Sequence, residues 1–145
     1  MKRVALVLVV FCVLSGAASA QAQAPHSLAG ARSADSADGK AVLAPIDGLF
    51  AALDKGDGTA MLRHVFPDGK VTAAGKRPDG SQNLRQQTWT QFAERLSPER
   101  AFQERITNPA ISIDDDIAMV WAFFVVRAGG KVNSCGIDHF DLSAW

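Results

Sequence analysis

From Ile117 to Val126 the chain runs Ile-Ala-Met-Val-Trp-Ala-Phe-Phe-Val-Val, with no polar side chain. In an extended strand, alternate residues face opposite ways. Here one face (Ile117, Met119, Trp121, Phe123, Val125) and the other (Ala118, Val120, Ala122, Phe124, Val126) are both apolar. β-branched and aromatic residues dominate the run, the pattern of a central strand covered on both sides. Ala128-Gly-Gly130 turns the chain, and Val132 to Leu142 returns as the partner strand of a hairpin. Upstream, Ala101 to Thr107 is interrupted by Asn108-Pro109 and resumes at Ile111 to Ile113. Asp114-Asp-Asp116 reads as a solvated turn.

The earlier part of the chain has helical spacing instead. Val42, Ile46, Leu49, Phe50 and Leu53 fall on one helical face, with Pro45 expected in the first turn. Gly56 can close that helix in the left-handed conformation. Asp57 can cap a shorter second helix that turns Met61, Leu62 and Val65 inward. Pro67-Asp-Gly69 is turn chemistry. Val71 to Ala74 is a weak strand, followed by a polar connection over Lys76 to Ser81. Thr88 and Gln91 have capping-box spacing before a third helix, whose apolar side is Trp89, Phe92, Ala93 and Leu96. Helices first and strands after predict an α+β fold, with about three N-terminal helices on one face of an antiparallel sheet.

The first 24 residues are expected to be a signal peptide. Lys2 and Arg3 precede an apolar run, and Ala18-Ser-Ala20 or Ala22-Gln-Ala24 supplies the cleavage pattern. The apolar run is too short for an ordinary membrane span. The residues before Cys12 do not suit lipid attachment. Export, to the periplasm or beyond, is the expectation. Cleavage after Ala20 leaves 125 of the 145 residues, enough for one domain at 41–145 behind a disordered leader at 25–40. Without Lys2 and Arg3 there are 13 basic and 15 acidic residues, a net of −2. That balance argues against a nucleic-acid partner, and the lack of a second apolar run argues against a membrane one. Cys135 alone survives processing and is expected to be a small buried apolar residue.

Certain segments carry a resemblance. They are Leu49-Phe-Ala-Ala-Leu-Asp-Lys-Gly-Asp57, Arg63-His-Val-Phe-Pro-Asp-Gly69, Thr88-Trp-Thr-Gln-Phe92, Asp116-Ile-Ala-Met-Val-Trp121 and Cys135-Gly-Ile-Asp-His-Phe-Asp-Leu142. In this order they resemble the nuclear transport factor 2-like superfamily, in particular exported bacterial members of its SnoaL-like and lumazine-binding branches. The resemblance implies a cone: a curved antiparallel sheet wrapped around helices, with an apolar cavity at the wide end. It also implies a homodimer through the outer sheet face and no cofactor. Similar proteins continue past the Phe-Asp-Leu strand with a last strand, whereas here Ser143-Ala-Trp145 ends the chain.

Several residues could carry chemistry. The chain has no Tyr. This disfavours the isomerase and dehydratase constellations of the superfamily that rely on one. His64 is a candidate general base; its alternative role is a helix C-terminal His bonded to a carbonyl. Asp138 and His139 are adjacent on a strand, so they face opposite ways and cannot act as a direct pair. Asp138 shares its face with Gly136, Phe140 and Leu142, where it could orient a ligand; the alternative is an exposed edge position. Trp89, Phe92 and Trp121 could stack on a flat ligand or simply build the core. Metal binding is not expected: Cys135 and His139 share a face but lie about 13 Å apart. The candidate ligand residues are therefore His64, Trp89, Phe92, Trp121 and Asp138. The leading expectation is an exported small-molecule-binding protein. The alternatives are a cofactor-free isomerase, dehydratase or hydrolase using His64 with a carboxylate, and a protein-interaction module using the outer sheet face.

Overall fold

The computed structural model describes residues 30–77 and 79–143. The expected signal peptide and Trp145 lie outside the described residues.

Helix α1 spans Ala37–Lys55 and starts earlier than the apolar spacing suggests. Ser36 sets the start: its hydroxyl accepts from the Gly39 amide at 3.0 Å. Asp38 adds a negative charge in the first turn, where the helix dipole favours it. Gly56, at φ 64°, ends the helix, as expected. Pro45 corrects the sequence reading. It lies inside the helix, beyond the first turn. Its missing N–H leaves the Ala41 carbonyl without a helical donor, and Ala41 is exposed to solvent. The leader expectation also needs correction at residues 31–40. Strand β1, Ala31–Arg32, pairs with Ile111 and Ser112, and residues 37–40 are the first turn of α1.

Helix α2, Gly58–Met61, is capped by Asp57, whose carboxylate accepts from the Ala60 amide at 2.8 Å. Two antiparallel strands follow, β2 (Lys70–Lys76) and β3 (Gln82–Thr88). Strand β3 has no counterpart in the hydrophobic pattern, because Leu84 is its only apolar residue and points to solvent. Its turn is held by Arg77, whose guanidinium donates to the Gln82 carbonyl at 2.7 Å and to Asn83 Oδ1 at 3.2 Å. Helix α3, Trp89–Ala93, begins with the expected capping box between Thr88 and Gln91.

The main sheet adds β4 (Gln103–Asp114), β5 (Ile117–Ala128) and β6 (Lys131–Ser143), in the antiparallel order β1-β4-β5-β6. Asn108 and Pro109 do not break β4. They form a bulge between the pairs Thr107↔Phe123 and Ala110↔Trp121, with Asn108 at φ 51°. Gly129 and Gly130, both at positive φ, make the tight β5–β6 turn that the twist of a hairpin favours.

The fold is thus α+β, with helices against one face of an antiparallel sheet. Ile46, Leu49, Phe50 and Leu53 of α1 pack on Ile111 and Val120, and Met61 closes the cluster. Met61 and Val120 are both 0% exposed. Burying each of the large α1 side chains contributes about 1.5–3 kcal/mol. The two apolar faces of β5 fare differently. Ala118, Val120, Ala122 and Val126 are buried against the helices, while Ile117, Met119, Trp121 and Phe123 are exposed. Cys135 shares that bare face and is exposed, not buried as expected. No helix among the described residues is long and apolar enough to cross a membrane.

Candidate functional site

A recess of about 510 Å³ opens where α1, the segment after α2, α3 and the end of β6 meet. Its apolar walls include Ile46 and Leu49 from α1, Trp89 from α3, and Phe140 and Leu142 from β6. Each wall is fixed locally. Phe140 stands edge-on to Phe50, with ring centroids 6.1 Å apart. The Thr88 cap sets the start of α3, and the Trp89 amide donates to the Gly69 carbonyl at 3.1 Å. Phe92 braces the Trp89 ring edge-to-face at 5.8 Å and packs against the core.

The polar residues of the recess are unevenly charged. Arg63, His64 and Lys70 contribute on one side, and His139, Asp141 and Ser143 of β6 on the other. His64 follows α2, its amide donating to the Met61 carbonyl at 3.0 Å. Its ring rests on Gly48 of α1, so closely that a methyl group there would lie 2.3 Å from Cε1. A floor of apolar side chains with a few polar groups at the mouth is the general form of a small-molecule site.

Of the five candidate ligand residues, the recess brings together His64 and Trp89. Phe92 supports Trp89 from behind. Trp121 and Asp138 do not line it. Trp121 stands opposite His139 on the bare face of the sheet, where the two rings stack at 4.3 Å. His139 also lies 3.4 Å from Asp141 Oδ1. Parity along β6 places Asp138 and His139 on opposite faces, as the sequence requires. The proposed catalytic combination of His64 with Asp138 is not assembled, because the Asp138 carboxyl turns to a different partner.

That partner is Glu104 of β4. Asp138 pairs with Ala122 and Glu104 with Val126, so both carboxyls flank β5 on its helix-facing side. Burial above all, then the charge of Asp138 and a hydrogen bond to it, push Glu104 up to about 7. Burial pushes Asp138 up to about 6, against a hydrogen bond from Glu104 that lowers it. Asp138 Oδ2 is buried and has no hydrogen-bond partner among the described residues. Sequence reasoning missed Glu104, although a signal was present. In Phe102-Gln-Glu-Arg-Ile106 the glutamate has the parity of the two apolar residues. Phe140 and Leu142, the sheet's contribution to the recess, were placed on the correct face but not recognised as a wall.

Among the described residues, no group of three or more His, Cys, Asp or Glu side chains converges as a metal site would. No protein-family model matches the chain, and no curated protein matches it.

Proposed function

We propose that this protein binds a small planar molecule in the recess between α1, α3 and β6. The observation that carries this reading is the recess itself: about 510 Å³, floored by apolar side chains, with Trp89 held edge-on and His64 at its mouth. Four basic or potentially basic side chains, Arg63, His64, Lys70 and His139, against one carboxylate favour a neutral or anionic ligand over a cation. The sequence resemblance supports a cone-shaped fold of the nuclear transport factor 2-like type, in which such a cavity is the binding site. The amino-terminal segment supports export. A panel of planar heteroaromatic acids and their neutral amides, read by thermal shift, tests the reading. Ligands that bind only the folded state raise its stability. Stabilisation by members of the panel that disappears in Trp89→Ala is the expected result. Stabilisation unchanged in Trp89→Ala would place binding elsewhere and reject the site.

A second reading concerns the bare sheet face. Trp121 is 53% and Phe123 59% exposed, next to Met119, Ile117 and Ile137. A contiguous apolar face of this kind marks an association surface. A second copy of the chain is its proposed cover, in keeping with the resemblance. Trp121→Glu should leave the monomer folded and remove self-association in sedimentation. A wild-type chain that stays monomeric at high concentration would reject the dimer.

A further inference from the structure

We propose that the recess takes the carboxy-terminal end of an extended peptide with an aromatic last residue, which adds a strand to the free edge of β6 and offers its carboxylate to Arg63, His64 and Lys70. The proposal rests on the reading of the recess as a site for planar groups, and names the kind of molecule that presents one.

Five residues in a row from β6 border the recess: His139, Phe140, Asp141, Leu142 and Ser143. Alternate side chains of a strand point to opposite faces. Phe140 and Leu142 pair with Val120 and Ala118 on the helix side, whereas His139 and Asp141 pair with Trp121 and Met119 of the bare face. Residues of both faces can border one hollow only along the rim of the strand, where the backbone lies. Among the described residues β6 is an edge strand, paired with β5 alone. Every second residue therefore turns its N–H and C=O away from β5, toward the recess. A ligand that satisfies such a row must bring a matching row of its own, and an extended peptide does.

The sheet treats its two edges differently. Strand β4 is covered at Ile111 and Ser112 by β1 and is bent by the bulge at Asn108 and Pro109. From His139 to Ser143, β6 has neither a proline nor a bulge; its register shift lies at the other end, beside the hairpin turn. An edge left straight is the one open to strand addition.

Charge selects the end of the peptide. Among the described residues Arg63 and Lys70 take part in no ion pair, while Asp141 faces His139 at 3.4 Å. The uncommitted charge at the recess is therefore positive, which suits a terminal carboxylate. The exposed stretch of β6 spans about 13 Å, the length of about five extended residues. The ring of the last residue is then the planar group that lies beside Trp89.

The test uses an N-acetylated pentapeptide of alternating valine and threonine that ends in phenylalanine with a free carboxylate, titrated calorimetrically into the full chain. It should bind about tenfold or more tighter than N-acetylphenylalanine, and its carboxy-terminal amide about tenfold weaker than the acid. Methylating alternate amide nitrogens gives two further versions. One should lose binding and the other keep it, because only one set of amides faces β6. Equal binding by both would overturn strand addition. The double variant Arg63→Gln, Lys70→Gln should bring the acid down to the affinity of the amide, and a full preference for the acid in that variant would overturn the place given to the carboxylate. Hydrogen exchange needs no variant: alternate amides from His139 to Ser143 should exchange fast in the free protein and slowly with the peptide bound. Slow exchange in the free protein that deepens with protein concentration would mean that a second copy holds the edge, and would reject the peptide. If planar acids bind through Trp89 while the pentapeptide binds no tighter than N-acetylphenylalanine, the reading of the recess stands and the strand addition falls. If neither binds, both fall.

Discussion

Replacing Gly48 with Ala separates the two roles of the His64 seat. Gly48 is in the interior of α1, where glycine costs about 1 kcal/mol relative to alanine through backbone entropy. The new methyl would lie 2.3 Å from His64 Cε1 and 2.6 Å from both ring nitrogens. Such distances are not tolerated, so the ring must move. It sits at the end of an exposed side chain and can swing to solvent by rotation about its own bonds. What is lost is the ring's contact with the helix: a handful of atom pairs at about 0.1–0.2 kcal/mol each, under about 1 kcal/mol in all. The two terms nearly cancel or leave a small gain. Urea unfolding of Gly48→Ala should therefore show a change between about zero and 1 kcal/mol in favour of the variant. The His64 ring resonances should move toward those of a solvated imidazole, and affinity for any ligand that contacts His64 should fall. Destabilisation of more than about 2 kcal/mol would refute the reasoning, because it would mean that His64 is locked in place and the clash is absorbed by the backbone. Unchanged ring resonances would refute it as directly.

Other expectations concern the frame around the site. Met61→Ala removes a fully buried side chain and should destabilise the fold by about 2–5 kcal/mol in chemical denaturation. Thr88→Ala deletes the cap of α3 and should cost about 1 kcal/mol, with broadening of the Trp89 indole resonance as its orientation loosens. Gly56→Ala should cost more than a helix-propensity change, because a methyl group there would meet the Ser97 carbonyl oxygen at 2.1 Å and φ is 64°; a melting temperature equal to wild type would contradict this.

How much of this was legible in the sequence depends on what each signal encodes. The β5–β6 hairpin could be read because apolar residues on both faces and a Gly-Gly turn describe the same object. Parity along β6 correctly separated Asp138 from His139. Parity could not say which apolar face of β5 the helices would choose. Ala118, Ala122 and Val126 accept a helix closely, whereas the bulkier Trp121 and Phe123 face the other way, so Trp121 was drawn into a site it does not line. Strand β3 was invisible because its stability comes from pairing with β2 and from the Arg77 turn, neither of which leaves an apolar pattern. Residues 31–40 looked unstructured because small and polar residues dominate them. Their order comes from one serine cap and a short pairing with β4. The Glu104–Asp138 contact joins residues far apart in the chain and requires the strand register to be known.

The most direct test of the binding account is NMR observation of the tryptophan indoles and the His64 ring during titration with the planar acids. The account predicts saturable shifts at Trp89 and His64, with the Trp121 indole unmoved at the same ligand concentration. Shifts confined to Trp121 would contradict it and transfer the site to the bare face of the sheet.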